Sequence, residues 1–199
     1  MKPKDITKFL ISDKKYLKIS SDKLPIEKLR ECEDCLVCTN INVTYVDEEN
    51  NINIPFGVYA TGSFMSKMAL SDFLQKRLEG KAIYDKNISG DLGFLSNQSS
   101  EGLLGSFPEF EHYFMDNAYA QTGTVFQSWL YNDTYGNIIF EITPFYPWND
   151  PALRKDPRRI TYKKFMKNYK PILQTIIPKK NIRQWIKQGK ELNKLWFNE

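Results

Sequence analysis

The chain has 199 residues, of which 41% are hydrophobic and 14% aromatic, and its formal net charge is +4. This composition provides enough apolar surface for one folded domain and excludes an intrinsically disordered chain. No run of about 18 apolar residues occurs, as a membrane span would require. The apolar residues 9–11 are followed at once by charged residues, which argues against a signal-peptide core. We therefore expect a single-domain cytoplasmic protein.

Charge is divided unevenly along the chain. Residues 31–150 contain 5 Lys/Arg and 17 Asp/Glu, a net charge of −12. Residues 151–199 contain 14 Lys/Arg and 3 Asp/Glu, a net charge of +11. Residues 1–30 contain 9 Lys/Arg and 4 Asp/Glu, a net charge of +5. This separation favours an acidic body and a basic C-terminal region with different electrostatic roles. A basic tail that simply packs beside an acidic body would give the same pattern.

The N-terminal half is expected to contain a helix and a hairpin. Residues 14–20 alternate weakly and predict an edge strand. Leu24 and Pro25 then open a candidate helix. Residues 40–47 and 52–60 flank an acidic turn, the pattern of a β-hairpin, and Pro55 predicts that the second of these strands lies at a sheet edge.

The centre of the chain contains the clearest strand signal. Residues 63–78 have helical apolar spacing that ends at Gly80, and residues 85–108 are interpreted mainly as loop with a short helical turn. Residues 122–132 and 137–145 are dense in β-branched and aromatic residues and predict a second hairpin. Gly136 suits the positive φ of its turn.

The C-terminal region is expected to be helical. Thr161 can cap a helix that reaches Ile176, kinked or broken at Pro171. Residues 181–198 place apolar side chains along one stripe, with lysine and arginine beside it. Strands grouped before helices predict an α+β fold, in which a central antiparallel sheet is packed by helices and a C-terminal helix pair follows.

Residues that could support metal binding or catalysis are few. Cys32, Cys35 and Cys38 have iron–sulfur spacing but lack a fourth thiolate, and zinc would require His112. We interpret the cysteines as ordinary thiols in a reducing compartment and expect no metal or cofactor. No nucleophile, Walker A or dinucleotide-binding motif accompanies the lone histidine. An enzyme that uses carboxylates alone is a third hypothesis.

The basic C-terminal helices offer a different function, because clustered Lys and Arg can contact phosphates. Trp185 and Trp196 lie on the apolar stripe, however, where they are more simply core anchors than stacking platforms. Nucleic-acid binding is therefore kept as the alternative to protein binding.

Residues 129–148 contain the pattern W-x-Y-x-D…G-x-I-x-x-E-I-T-P-x-Y-P-W. This segment resembles immunity proteins of contact-dependent growth inhibition and related polymorphic-toxin systems, including those paired with nuclease toxins. The resemblance implies a cytoplasmic protein that binds the toxin domain delivered by a neighbouring cell and blocks its active site or substrate groove. It also implies an antiparallel sheet backed by helices, akin to Whirly-type folds. We expect Pro144 and Pro147 to end a strand, and Tyr146 and Trp148 to anchor helices.

The acidic body suggests how such an inhibitor could act. A nuclease presents a basic groove to its substrate, so clustered carboxylates can fill that groove and speed association by electrostatic steering. Two clusters are candidates, one on the turn of the first hairpin and one downstream of residue 100. The carboxylates expected at the partner interface are Asp47, Glu48, Glu49, Glu101, Glu109, Glu111 and Asp116.

Overall fold

A computed structural model describes residues 4–21, 40–60, 71–82, 91–100, 114–119, 125–149, 153 and 155–197. Eight strands and four α-helices lie in these ranges. The strands are β1 Lys4–Leu10, β2 Lys15–Ser21, β3 Asn40–Asp47, β4 Ile52–Ala60, β5 Phe114–Tyr119, β6 Val125–Asn132, β7 Ile138–Phe145 and β8 Leu173–Ile177. The helices are α1 Ser71–Glu79, α2 Leu92–Ser100, α3 Tyr162–Lys167 and α4 Lys179–Phe197, with a 3-10 turn at Pro147–Asn149.

The strands form two four-stranded antiparallel sheets with the orders β1-β2-β3-β4 and β5-β6-β7-β8. Each sheet is a meander of consecutive strands. Along the chain, helix α1 follows β4 and helix α4 follows β8. The expected α+β class with antiparallel strands packed by helices is therefore confirmed. The finer expectation of a Whirly-type arrangement stays a prediction.

The first sheet departs from expectation at β2. This strand pairs with β1 on one side and with β3 on the other, so it is internal and the prediction of an edge strand is wrong. The reason is that residues 4–10, whose weak pattern predicted no element, supply the outer strand. Pro55 lies on β4 opposite Thr44, in the last strand of the sheet, the kind of position to which proline is largely confined in sheets.

Two further differences lie in the second half. Residues 92–100 form a nine-residue helix where a short turn within a loop was expected. Residues 173–177 form strand β8, so the expectation that the first C-terminal helix reaches Ile176 is wrong. The two expected C-terminal helices are present as α3 and α4, and this strand lies between them. Helix α3 already ends at Lys167, with Asn168 as its C-cap, and the β-branched run at residues 175–177 pairs with β7. The Thr161 cap is confirmed, since its Oγ1 accepts the Lys164 N–H at 3.3 Å.

One hydrophobic core joins both sheets to α4. Its buried members are Phe9, Ile11, Leu17, Ile19, Val43, Tyr45, Leu74, Leu130, Ile138, Phe140, Ile142, Ile177, Ile182 and Trp185. Trp185 is fully buried, its ring meets Phe9 edge-on at 5.7 Å, and its Nε1 donates to Leu10 O at 2.8 Å. Asn181 Nδ2 donates to Ile11 O at 2.9 Å. The predicted amphipathic helix thus fastens the end of the chain to β1.

Several expectations concern residues outside the described ranges. These are the helix predicted to open at Leu24, the first part (residues 63–70) of the helix predicted for residues 63–78, the three cysteines and His112. Among the helices that the structure describes, none is both long enough and apolar enough to cross a membrane.

Candidate functional site

The acidic turn between β3 and β4 contains three of the predicted partner-binding carboxylates. Asp47 is buried, with 2% of its surface exposed. Its Oδ1 accepts the N–H groups of Glu49 and Asn50 at 3.0 and 3.1 Å, and its Oδ2 accepts Asn50 Nδ2 at 2.8 Å. The Lys15 ammonium lies 3.3 Å from Oδ2. Asp47 therefore holds the turn together from inside.

The ionisation of Asp47 reflects these contacts. Burial alone would raise the pKa of this carboxyl, but the hydrogen bonds from Asn50 and the ammonium of Lys15 outweigh it and lower the pKa below the ordinary value of 3.8. The charge is thus present at neutral pH but is neutralised locally by Lys15. A partner meets much less negative potential here than the sequence implied.

The two glutamates of the turn differ in their availability. Glu48 Oε1 accepts the Tyr16 hydroxyl at 2.9 Å and lies 3.7 Å from Lys8 Nζ, although half of its side chain is exposed. Glu49 is exposed. The expectation that both contact a partner stays a prediction.

The second acidic cluster is not assembled within the described residues. Glu101, Glu109 and Glu111 lie outside them. Asp116 lies on β5, in register with Ser128 of β6. Their predicted contact with a partner stays a prediction.

A polar network that was not predicted lies on the face of the second sheet covered by α2. Its centre is Glu141 on β7, which is 0% exposed. Glu141 Oε2 accepts the Tyr131 hydroxyl at 2.7 Å and Gln174 Nε2 at 3.1 Å, and Oε1 accepts the backbone N–H of Gly93 at 3.1 Å. Strands β6, β7 and β8 and the start of α2 therefore meet at one carboxyl group.

Burial raises the pKa of Glu141 to about 7, and the nearby carboxyl of Asp91 contributes in the same direction. Hydrogen bonds from Tyr131, Gly93 and Gln174 oppose the rise because they favour the charged form. A buried carboxyl that titrates near neutrality is a common property of catalytic acids. Here the three donors already occupy both oxygens, so the geometry favours a structural role.

Asp91 forms the second part of the network. Its Oδ1 accepts the N–H of Phe94 at 2.6 Å, which caps α2, and the Tyr169 hydroxyl at 2.5 Å. Burial and the hydrogen bond to Asp91 raise the pKa of Tyr169, so its hydroxyl stays protonated and donates. The loop after α3 is thereby attached to the start of α2.

The close approach of α2 to β7 depends on Gly93. A Cβ at this position would lie 1.9 Å from Thr143 Oγ1 and 2.4 Å from Thr143 Cβ. That hydroxyl also accepts Trp129 Nε1 at 3.0 Å. A glycine is required because any larger side chain would displace Thr143 and disturb its hydrogen bond with Trp129.

Asn97 attaches the other end of α2. It is fully buried, its Nδ2 donates to Pro144 O at 3.0 Å, and its Oδ1 accepts the Tyr146 N–H at 2.8 Å. The Tyr146 ring lies 5.4 Å from the rings of both Tyr162 and Phe165. The expectation that Tyr146 anchors a helix is confirmed. Trp148 contacts Tyr146 edge-on at the same distance.

The segment that carried the family resemblance is thus largely an internal scaffold. Trp129, Tyr131, Glu141, Thr143 and Tyr146 all make hydrogen bonds within the protein. The sequence contained an indication of this role. Glu141 and Thr143 are two residues apart, so they lie on the same face of a strand whose other residues are all apolar. A glutamate at such a position must be paired, but the sequence did not show that a helix N-terminus would supply a donor.

The described ranges contain no group of three or more histidine, cysteine, aspartate or glutamate side chains arranged to hold a metal ion. Comparison with known proteins gives no match: no family model, no curated protein and no solved structure is significantly similar to this chain.

Proposed function

We propose that this chain is a cytoplasmic immunity protein, which binds a cognate antibacterial toxin domain of the nuclease class and prevents substrate from reaching its active site. The observation that carries the proposal is the resemblance in residues 129–148. These residues bond largely within the protein, so the resemblance concerns the scaffold and not a toxin-contacting surface. The α+β architecture agrees with what the resemblance implies.

The proposal predicts that the gene immediately upstream encodes a large secreted protein that ends in a toxin domain, and this domain is the partner for the test. This domain is expressed from an inducible promoter in a bacterial host, with and without the present chain. We expect growth arrest that the chain relieves, and a complex of the two purified proteins in size-exclusion chromatography. Continued growth arrest in the presence of folded chain, together with separate elution, would overturn the proposal.

The basic side of α4 favours nucleic-acid binding as a second candidate function. Lys180, Arg183, Lys187 and Lys190 are exposed on the helix, whose opposite side buries Ile182 and Trp185. Such a stripe can track a phosphate backbone, and its binding would weaken steeply with salt. Fluorescence anisotropy with a labelled DNA duplex and a labelled RNA strand, each at two salt concentrations, measures this directly.

A further inference from the structure

The second sheet separates the hydrophobic core from a layer on its other side. Phe140 and Ile142 of β7 belong to the core that also contains residues of α4. Glu141 and Thr143 alternate with them along the strand and therefore point to the opposite face, here named the outer face. Gly93 of α2 donates to Glu141 and lies against Thr143. Helix α2 therefore covers part of the outer face.

Helix α2 is attached to the outer face without joining the core. Leu92 and Leu95 are buried, yet neither belongs to the core that joins both sheets to α4. The described polar attachments to the sheet are the bond to Glu141 at the start of α2 and the bonds of Asn97 further along. An element packed outside the main core can open while the rest of the protein stays folded.

Glu141 is fully enclosed while α2 is in place. Groups from β6, β8, the start of α2 and the segment after α3 surround this carboxyl, namely Tyr131, Gln174, Asp91, Gly93 and Tyr169. They supply two hydroxyls, an amide, a backbone N–H and a second carboxyl. None of these described groups is a cation, so an ionised Glu141 receives no compensating positive charge from them.

Ionisation of Glu141 therefore opposes the closed position of α2. Burial raises the pKa of Glu141 to about 7, and water would return it toward the ordinary value of 4.5 once α2 moves away. The closed state thus binds the proton more tightly than the open state. Closure is strongest below pH 4.5 and weakens as the pH rises through about 7.

We propose that α2 is a pH-dependent cover of the outer face of the second sheet. It is closed while Glu141 carries a proton, and it opens more often as this carboxyl ionises, with the core still folded. Opening brings water to Glu141 and to Thr143 with its hydrogen-bond partner Trp129. No partner protein is required for this movement.

Hydrogen exchange of single backbone amides, followed by NMR at pH 6 and pH 8 and corrected for the intrinsic pH dependence of exchange, tests the proposal. The reporter is the N–H of Leu95, which donates to Asp91 O at 3.1 Å in the first turn of α2. Its protection is expected to fall about ten-fold between the two pH values, because Glu141 titrates differently in the closed and open states. This opening should show little dependence on urea. The amides of β2 and β3 should require a larger opening with a steeper urea dependence.

Glu141→Gln retains the shape of the side chain but cannot ionise, so the protection of Leu95 should be the same at pH 6 and pH 8. If the new amide also weakens the attachment of α2, the protection falls equally at both pH values and the pH dependence is still absent. Glu49→Gln makes the matched change at an exposed carboxylate and should follow the wild type.

Two results would overturn the proposal. Exchange of Leu95 with the same opening free energy and urea dependence as the amides of β2 and β3 would mean that α2 opens only when the whole protein unfolds. A separate opening of α2 that does not depend on pH in the wild type, or that keeps its pH dependence in Glu141→Gln, would mean that Glu141 does not control the cover.

Discussion

At the scale of single residues, the interior carboxylates stabilise the structure through bonds that the sequence did not reveal. Asp47 organises a turn and Glu141 joins three strands to a helix. Removing one partner of a buried polar pair lowers the free energy of unfolding by more than the intact pair adds to it. The reason is that the remaining partner is left with neither water nor a hydrogen bond. Changes at these positions should therefore affect folding before they affect any partner.

Glu141 should make stability depend on pH. The pKa of Glu141 is about 7 in the folded protein, above its ordinary value of 4.5, so the folded state binds the proton more tightly. Its contribution to the free energy of unfolding is therefore fully present below pH 4.5 and is lost as the pH rises through about 7. Urea denaturation at pH 5 and pH 8 should show a loss on the order of 2 kcal/mol from this group.

The variant Glu141→Gln cannot titrate and should lack this part of the pH dependence, so its stability relative to the wild type should improve between pH 5 and pH 8. Glu49→Gln, at an exposed carboxylate, is the control and should follow the wild-type profile. Parallel profiles for Glu141→Gln and the wild type would show that Glu141 is not the group responsible.

Gly93→Ala should destabilise the protein by about 2 to 3 kcal/mol, because the new methyl group overlaps Thr143 and must displace it. Thermal unfolding followed by circular dichroism measures the effect. Ser96→Ala on the same helix is the control, since its hydroxyl makes only a long contact of 3.4 Å with Gln127. An unchanged Tm for Gly93→Ala would mean that α2 can move away from β7 at little cost.

At the scale of whole elements, α4 and β8 behave differently although both were expected to be helical. The apolar stripe of α4 continues for several turns and meets a core that accepts it. Residues 173–177 are too few for a stable helix, lie between Pro171 and Pro178, and find β7 as a partner. Helical spacing over one turn does not distinguish the two structures.

Trp185→Ala should destabilise the fold by about 3 to 5 kcal/mol, because it removes a fully buried indole and its hydrogen bond to Leu10. Chemical denaturation measures the change. Gln184→Ala, the adjacent exposed position on α4, should stay within about 0.5 kcal/mol of the wild type. A stable Trp185→Ala protein that has lost nucleic-acid binding would instead support the second candidate function.

At the scale of the whole molecule, the charge division along the sequence is partly cancelled in space. Lysines of the first two strands lie beside the acidic turn, with Lys15 on Asp47 and Lys8 near Glu48. The exposed cations of α4 have fewer oppositely charged neighbours within the described ranges. One example is the pair of Lys187 Nζ and Glu191 Oε1, which are 3.8 Å apart. The sign of a surface is therefore set by which strands become neighbours, and the sequence count of −12 for residues 31–150 overstates the acidity of the turn.

Reversing Lys187 and Lys190 to glutamate should leave protection against the toxin unchanged, because the groove of a nuclease is basic and these exposed lysines would be repelled by it. Exposed charges contribute little to stability, so the Tm should also change little. Survival of host cells after toxin induction is the measurement. Loss of protection with intact folding would place the interface on α4.

Patterns within short stretches of the sequence determined the fold class, the two hairpins and the amphipathic C-terminal helix. In each of these, a strand or helix period continues long enough to select one structure. The tertiary structure decided what depends on distant partners. Strand β2 became internal because β1 exists, residues 173–177 became a strand because β7 was beside them, and Glu141 was buried because α2 supplied Gly93 N–H. The acidic turn follows the same rule, since its local charge depends on Lys8 and Lys15, which lie far from it in the chain.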